Sequence, residues 1–264
     1  MNKTAIVTGG SSGIGLAAVR ELASKGYKVY EFSRHGEDTS AAVHIAVDVT
    51  DEDTVRKAVS EVVGREKRID LLINCAGYGI SGAAEFTDSA EASRQLSVNL
   101  IGTSNVCNAV IPYMRRMRRG RIVNISSVAA VMPIPFQTWY SVSKSGVNTY
   151  TCALANEVRP FGIEVCAVML GDTKTGFTAA RKRSVNGDEI YGGRISRSVL
   201  VMEKDEQNGA SPESVAKAVV RTTLSCGRLK PLYTVGAQYK AICFLDRLVP
   251  VRFKNYILYK IYGG

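Results

Sequence analysis

Short apolar runs alternate with longer amphipathic stretches along the chain. The short runs are rich in β-branched residues and predict buried strands, and they lack the strict alternation of a half-exposed sheet, so both faces are expected to be covered. They lie at residues 5–7, 29–32, 44–47, 71–73, 121–125, 164–169 and 232–235. The longer stretches have helical spacing and lie at residues 14–24, 52–63, 90–117, 139–158 and 212–224.

This alternation predicts the fold class. Strands that alternate with helices form βαβ units and hence a parallel sheet with helices on both faces. No repeat or linker divides the chain, so we expect an α/β protein in which residues 1–264 form a single doubly wound Rossmann-type domain with a seven-stranded parallel sheet. Two segments depart from the pattern. Residues 172–210, rich in Gly, Ser and charge, are predicted to form a mobile excursion over a site, and residues 239–264 form a basic, aromatic C-terminal tail.

Composition and charge narrow the possible functions. Hydrophobic residues make up 45% of the 264-residue chain, which excludes disorder as the main state. The 34 basic residues exceed the 24 acidic ones by 10, and this charge suits nucleic acid, an anionic membrane or a phosphate-bearing ligand. No run of about 18 apolar residues predicts a membrane-spanning helix. The first strand begins so close to Met1 that a signal peptide is not expected, and we predict a cytoplasmic protein.

Cysteine and histidine usage predicts no metal site. The six cysteines are widely spaced and form no CxxC pair, which favours free thiols in a reducing compartment over disulfides. His35 and His44 are the only histidines, and they have no partners at metal-ligand spacing.

A glycine-rich run joins the first predicted strand to the first predicted helix. It reads Thr8-Gly9-Gly10-Ser11-Ser12-Gly13-Ile14-Gly15. Glycines permit a tight turn and the close approach of a pyrophosphate, and the helix N-terminus supplies free N–H groups and a positive dipole end. The context of strand, loop and helix therefore predicts a dinucleotide site, with a tight turn that binds nothing as the alternative.

The end of the second strand selects the cofactor. Sites for NAD usually place an Asp or Glu there, about 20 residues after the glycines, to bind the ribose 2′-hydroxyl. This position falls on Ser33, which Arg34 follows, and a hydroxyl beside a guanidinium suits a 2′-phosphate. We therefore predict NADP(H). Glu31 is the alternative acid, and it would favour NAD(H) if the count were two residues too long.

Further motifs follow the later strands. In chain order they are Asp48-Val49, Asn74-Cys75-Ala76-Gly77, Asn99, Ser127, Tyr140-x-x-x-Lys144, Leu170-Gly171 and Thr175. Together with the glycine run, which fits TGxxxGIG, they make roughly residues 3–236 resemble the classical short-chain dehydrogenases/reductases. Two positions depart from that family's pattern. Cys75 replaces the second Asn of NNAG, and Leu170 replaces the Pro of a Pro-Gly pair.

The resemblance implies a catalytic tetrad and a set of nucleotide contacts. The tetrad is Asn99, Ser127, Tyr140 and Lys144, in which Asn99 helps to hold a water that connects Lys144 to solvent. The implied cofactor contacts are Gly9, Ser11, Ser12, Gly13, Ile14, Gly15, Ser33, Arg34, Asp48, Val49, Asn74, Ala76, Gly77, Tyr140, Lys144, Gly171, Thr173 and Thr175. Family members are commonly dimers or tetramers, so a homo-oligomer is implied as well.

The residue types of the tetrad suit proton transfer. Tyr140 and Lys144 are four positions apart and share a helix face, and an ammonium should lower the tyrosine pKa from its usual value near 10. Tyr140 would then act as general acid in ketone reduction and general base in alcohol oxidation, while Ser127 binds the substrate oxygen and the cofactor carries the hydride. Each residue also has a purely structural interpretation: Ser127 could cap a helix, Asn99 could be a polar group of the core, and Cys75 could be a packed thiol.

Apolar residues surround the predicted catalytic group. The resemblance implies that residues 172–210 form a substrate lid. The apolar residues of this lid and of the segment after Ser127 favour a bulky lipophilic ketone or secondary alcohol, hydroxysteroid-like or with an acyl chain. The expected substrate contacts are Ser127, Met132, Tyr140, Phe177 and Tyr191. The alternatives are a 3-oxoacyl-thioester reductase and, outside the enzymes, an NADP-binding sensor or scaffold.

The remaining basic segments carry no firm ligand. Ile242, Leu245 and Leu248 have helical spacing before Pro250, and the C-terminal tail is predicted to contact a membrane peripherally, to cover the substrate pocket or to form a subunit interface. Residues 115–121 are the densest basic run, but they end a predicted helix, where cations suit the dipole. They lack the interleaved aromatics of a nucleic-acid site, so we do not expect nucleic-acid binding.

Overall fold

Seven strands form one parallel sheet in the computed structural model, which describes residues 3–177 and 181–263. The strands of the described residues are β1 (Thr4–Thr8), β2 (Lys28–Ser33), β3 (Val43–Ala46), β4 (Leu71–Asn74), β5 (Ile80–Ser81), β6 (Gly120–Ser127), β7 (Ile163–Leu170), β8 (Lys182–Arg183) and β9 (Leu232–Thr234). The sheet order is β3-β2-β1-β4-β6-β7-β9, and β5 pairs with β8 separately. The predicted seven-stranded parallel sheet is confirmed.

Helices cover both faces of this sheet. Those of the described residues are α1 (Gly13–Ser24), α2 (Glu52–Glu66), α3 (Ser89–Leu96), α4 (Gly102–Met117), α5 (Thr138–Glu157), α6 (Arg194–Gln207), α7 (Pro212–Thr223), α8 (Ala237–Leu245) and α9 (Val251–Leu258). Short 3₁₀ turns occur at Ala84–Phe86, Val128–Ala130 and Arg159–Phe161, and π-helical segments occur at Ser97–Ile101 and Tyr259–Gly263.

The strands lack alternation because both of their faces are buried. Ile6 and Leu72 point into a core that packs against α2, α4 and α5. The neighbouring residues Val7 and Ile73 point into a second core, which packs against α1 and α7. Successive side chains of a strand point to opposite faces, so every position of β1 and β4 becomes apolar or buried.

The strand order creates a crevice at the carboxyl ends of β1 and β4. From β1 the chain continues to β2 and β3 on one side, and then crosses to β4 and the strands beyond it on the other. Open parallel sheets bind ligands at such a switch point, because the loops that follow the two central strands diverge there. The glycine run follows β1, and Cys75-Ala76-Gly77 follows β4, so both lie at this crevice.

The lid contains a helix that the sequence analysis missed. In α6 the buried residues Ile195, Val199 and Met202 have helical spacing, and the Asp188 carboxylate accepts hydrogen bonds from the N–H groups of Ile195 (3.0 Å) and Ser196 (3.2 Å). Three positions of the predicted lid, 178–180, lie outside the described residues.

The C-terminal tail is helical and folds back on the domain. Pro250 precedes α9, and Lys254 anchors that helix by an ion pair with Asp246 (2.6 Å) and a hydrogen bond to the Val131 carbonyl (3.1 Å). Leu258 is buried. Within residues 3–177 and 181–263, no helix is both long and apolar enough to cross a bilayer.

Candidate active site

A cleft of about 1570 Å³ follows the carboxyl edge of the sheet. It runs from the ends of β2 and β3, past the glycine run, to the end of β6, and the C-terminal tail lines its far end. Its volume exceeds that of an ordinary small-ligand pocket, which leaves room for a dinucleotide and a second molecule.

The glycine run forms a cradle at the centre of the cleft. Gly13 has a positive φ of +52°, and a Cβ on Gly15 would lie 2.1 Å from the Gly9 carbonyl oxygen, so a side chain at position 15 would not fit. Ser12 precedes α1, but its side chain makes no capping hydrogen bond. Because this cap is missing, the first N–H groups of α1 are left to donate hydrogen bonds to a ligand in the cleft, and a pyrophosphate would accept them. The predicted residues Gly9, Ser11, Ser12, Gly13, Ile14 and Gly15 all line the cleft.

The ends of β2 and β3 supply a basic region of the cleft. Ser33, Arg34, Asp48 and Val49, the expected cofactor contacts of this region, all line the cleft. Arg94 of α3 lines it as well, although no sequence motif indicated this residue. Burial opposes the charge on Asp48, but hydrogen bonds from Thr50 and the charges of Arg34 and Arg94 outweigh it and keep the pKa of this carboxyl below its ordinary value. Arg34 itself is exposed.

Glu31 is committed to a structural pair. It is 5% exposed, and its carboxylate lies 2.5 Å from Nδ1 of His44. The two residues are direct neighbours in the β2–β3 register. Glu31, the alternative acid for the ribose of NAD, does not line the cleft.

Ser127, Tyr140 and Lys144 come together at the end of β6. Lys144 Nζ lies 5.8 Å from the centre of the Tyr140 ring and donates a hydrogen bond to the Ile125 carbonyl (2.9 Å). Ser127 lies close enough to Tyr140 to act on its pKa, and the Ser127 Oγ accepts a hydrogen bond from the Ala129 N–H (3.1 Å). Ser127 therefore caps the following 3₁₀ turn and faces the cleft at the same time.

The pKa of Tyr140 is raised, contrary to the expectation that Lys144 lowers it. Burial raises this pKa to about 12, against the opposing effects of the Ser127 hydroxyl and the Arg181 charge, while Glu206 and Asp172 raise it further. Burial also lowers the pKa of Lys144 to about 8. At neutral pH Tyr140 holds its proton and Lys144 is mostly an ammonium, which suits proton donation to a carbonyl oxygen.

Asn99 and Asn74 lie behind the cleft wall. Asn99 occupies the π-helical segment between α3 and α4, where its amide bonds to both backbone groups of Tyr78 (3.0 Å each) and donates to Ser143 Oγ (3.0 Å). Asn74, expected as a cofactor contact, instead donates to Asn124 Oδ1 (2.9 Å) between the strands. The Asn99 side chain positions the loop that carries Ala76 and Gly77, which do line the cleft.

Cys75 lies beside Lys144 as a packed thiol. Burial raises the pKa of its thiol to about 12, so the thiolate is not formed at neutral pH. Its N–H donates to Thr8 Oγ1 (3.1 Å), as does that of Ala76 (3.1 Å), so the loop after β4 is fixed through its backbone rather than through the side chain at position 75.

Known proteins share this arrangement. A family profile described as short chain dehydrogenase matches residues 3–186. The chain belongs to this family. It is 43% identical to a 3-ketodihydrosphingosine reductase of Bacteroides thetaiotaomicron over 82% of this chain and 81% of that protein. It is therefore an oxidoreductase that acts on hydroxyl and keto groups.

Two solved structures are similar over most of their length. A short-chain dehydrogenase from Streptomyces avermitilis has a TM-score of 0.82 and 26% identity, with 94% of this chain and 93% of that chain covered. ElxO with NADP bound has a TM-score of 0.76 and 25% identity, with 91% of this chain and 100% of that chain covered.

The part of the cleft beyond Tyr140 is where a substrate is expected in this short chain dehydrogenase, and it is called the substrate end below. Met132 and Phe177, two of the expected substrate contacts, both line the cleft, and the Phe177 ring lies 5.7 Å from the Tyr140 ring. Tyr191 does not line it, because its ring packs against Phe136 (5.6 Å) and Phe86 (6.4 Å), which lie on the domain outside the lid. Tyr191 is thus placed in lid packing instead of at the expected substrate contact.

The predicted loop after β7 packs against the C-terminal tail. Gly171, Thr173 and Thr175 line the cleft, and a Cβ on Gly171 would lie 2.0 Å from the Tyr239 ring. The Tyr239 hydroxyl donates to the Asp172 carboxylate (2.7 Å) and accepts from the Asp172 N–H (3.0 Å). Of the three roles predicted for the tail, the structure therefore shows the cover over the cleft.

Several residues of the substrate end were missed from the sequence. They are Asp172, Glu206, Tyr239, Ile242, Leu258, Ile261 and Tyr262, all of which line the cleft. Glu206 forms an ion pair with Arg181, whose side chain is completely buried. The helical spacing of the tail was visible in the sequence, but nothing in that spacing indicates that the tail docks on the loop after β7.

Proposed function

We propose that this enzyme uses NADPH to reduce the ketone of a long-chain 2-amino-3-keto lipid, of the 3-ketodihydrosphingosine class, to a secondary alcohol. The observation that carries the proposal is the buried, protonated Tyr140 at the junction between the glycine cradle and an apolar cleft end. A protonated tyrosine favours carbonyl reduction, because the product alcohol needs a proton on its oxygen.

The choice of NADPH follows from the charges at the ends of β2 and β3. Arg34 and Arg94 flank this region, and the acid that would bind an unphosphorylated ribose, Glu31, is paired with His44. A guanidinium binds phosphate strongly but gains little from a 2′-hydroxyl. ElxO, which shares the fold, has NADP bound in its crystal structure, in keeping with this assignment.

The chain's own residues divide the remaining chemistry. The nucleotide supplies the hydride. Ser127 donates a hydrogen bond to the substrate oxygen and Tyr140 donates its proton there, so the developing negative charge is neutralised as it forms. The Lys144 ammonium stabilises the phenolate that remains. Asn99 keeps Lys144 in place, since it ties the loop after β4 to Ser143 of the same helix.

The two ends of the substrate region suit a lipid with an amine beside its ketone. Ile242, Leu258 and Ile261 give the far end an apolar wall for an alkyl chain. Asp172 and Glu206 both line the cleft close enough to act on the Tyr140 pKa, and Glu206 is balanced by its ion pair with Arg181. Asp172, whose carboxylate accepts a hydrogen bond from the neutral Tyr239 hydroxyl, is therefore the acid that would attract an ammonium next to the reacting carbonyl. The relative named a 3-ketodihydrosphingosine reductase supports the same substrate class.

A ketone panel tests this function. Consumption of NADPH would be followed with 3-ketodihydrosphingosine, a ketone of equal chain length without the amine, a 3-oxoacyl thioester, a keto steroid and an aldohexose. We expect the amino ketone to have the highest kcat/KM, and the ketone without the amine to be about tenfold or more poorer. If none of these compounds were reduced, the proposed reductase activity would be wrong. If the keto steroid or the thioester had a higher kcat/KM than the amino ketone, the proposed substrate class would be wrong.

The pH dependence of reduction should report Lys144. Its pKa is lowered to about 8 by burial, so the ammonium is present below this pH and is lost above it. We therefore expect kcat/KM for the ketone to be level near neutral pH and to fall above about pH 8, approaching tenfold per pH unit. Initial rates at saturating NADPH across the range would measure this. A profile that stays level up to about pH 10 would remove Lys144 from the proton chemistry.

A further inference from the structure

The C-terminal tail carries most of the exposed apolar surface. Among the described residues, fifteen large hydrophobic side chains are exposed, and ten of them lie between positions 242 and 261. These ten are Ile242, Phe244, Leu245, Leu248, Val251, Phe253, Tyr256, Ile257, Tyr259 and Ile261. Leu248, at the turn between α8 and α9, is 68% exposed. Such a concentration marks a surface that is used, because isolated exposed hydrophobics are ordinary but contiguous ones are not.

The same segment has a second, inner side that is already occupied. Tyr239, Leu258 and Tyr262 line the cleft, and Lys254 is fixed by Asp246 and the Val131 carbonyl. Packing on the domain therefore accounts for the inner residues, whereas the ten side chains named above stay exposed against the part of the chain that the structure describes. Ile242 and Ile261 both line the cleft and are exposed, so the outer apolar surface is continuous with the rim of the substrate end.

Charge on this surface identifies the kind of partner. Lys240, Arg247, Arg252 and Lys260 are exposed, whereas the one acid of the tail, Asp246, is partly buried and paired with Lys254. Exposed apolar side chains mixed with cations suit the surface of an anionic bilayer, because the acyl region binds the apolar groups and the lipid headgroups bind the cations. A two-fold contact with a second copy would bring the same patch against itself, and so would set these cations against one another.

We propose that the outer side of the C-terminal tail seats the enzyme on an anionic lipid bilayer, with the rim of the cleft at the membrane surface. The alkyl chain of a lipid substrate could then pass from the bilayer to Ile261, Ile242 and the cleft without crossing water. This route for the substrate rests on the proposed function, whereas the docking surface rests on the tail alone.

Vesicle flotation tests the surface. The full chain would be mixed with vesicles of phosphatidylcholine and phosphatidylglycerol, and with vesicles of phosphatidylcholine alone. The test variant combines Phe244→Ser, Leu248→Ser and Phe253→Ser, none of which lines the cleft. We expect the wild type to float with the anionic vesicles and the variant to partition at least about a hundredfold more weakly. Raising the salt concentration should weaken wild-type binding, because the cations act through a screened surface potential.

A matched control changes exposed apolar residues elsewhere. Val185→Ser and Ile190→Ser remove hydrophobic side chains of similar exposure from the lid, and this double variant should float like the wild type. The proposal is overturned if the wild type does not float with anionic vesicles, or if the tail variant floats as well as it does. It is also overturned if light scattering without lipid shows that the tail variant dissociates an oligomer that the control leaves intact.

Turnover separates this proposal from the proposed function. A water-soluble ketone reaches the cleft without a membrane, so the tail variant should reduce it at the wild-type rate. If the protein floats but reduces no member of the ketone panel, the docking surface stands and the proposed function fails. If the panel is reduced but nothing floats, the proposed function stands and the docking surface fails.

Discussion

Replacing Tyr140 with phenylalanine is expected to lower kcat for ketone reduction by about 10²- to 10⁴-fold and to leave NADPH affinity nearly unchanged. The change removes only the hydroxyl that donates the proton, and Tyr140 lies at the junction of the cradle and the substrate end. The ring remains, so its packing against Phe177 is kept. Steady-state rates with the best ketone and a titration of NADPH fluorescence would give both values.

Tyr113→Phe is the matched control for this experiment. Tyr113 lies on α4 and contacts Arg116, and it does not line the cleft, so loss of its hydroxyl should leave kcat unchanged. If Tyr140→Phe retained more than about a tenth of the wild-type kcat, another group would have to supply the proton, and the mechanism proposed above would be wrong.

Arg34→Ala is expected to weaken NADPH binding by about 10- to 100-fold and to leave NADH binding nearly unchanged. Arg34 lies at the end of β2 beside Ser33, with Arg94 in the same part of the cleft, and a charge-assisted hydrogen bond to a phosphate is worth roughly 1.5–3 kcal/mol. NADH lacks the 2′-phosphate, so its affinity should not depend on Arg34. Dissociation constants for both nucleotides would be measured by fluorescence titration.

The control for this variant is Arg56→Ala. Arg56 is an exposed arginine on α2 that pairs with Glu52 and Asp53, and it does not line the cleft. Its loss should affect neither nucleotide. If Arg34→Ala weakened NADPH and NADH equally, Arg34 would contact a part common to both cofactors. If wild-type protein bound NADH more tightly than NADPH, the assignment of cofactor would be wrong.

Much of the scaffold could be predicted because its signals are local. The apolar runs of β1 and β4 are continuous in the sequence. Gly9 and Gly15, which pack so closely that a Cβ on Gly15 would lie 2.1 Å from the Gly9 carbonyl oxygen, are only six positions apart. The spacing of Tyr140 and Lys144 likewise puts both on one face of α5, wherever that helix packs. In each case the period of the helix or strand carries the information, and the sequence displays that period directly.

The charge state of the site could not be predicted in this way. The four-residue spacing suggested that Lys144 controls the pKa of Tyr140, yet burial controls it and raises it. The ring of Phe177 packs against that of Tyr140, and the charges of Asp172 and Glu206 act on its pKa, although all three residues are far from Tyr140 along the chain. Desolvation is a property of all of these together, and no local pattern records it.

What the sequence alone determined, then, is the sheet, the cradle and the order of the proposed catalytic residues along the chain. Tertiary structure decided which side chains face the cleft. The β2–β3 register sets Glu31 against His44, lid packing takes Tyr191 away from the substrate end, and the fit of Tyr239 on Gly171 brings the C-terminal tail over it. The physical reason is that secondary structure follows from neighbours along the chain, whereas pairing, burial and docking depend on contacts between residues that only the complete fold brings together.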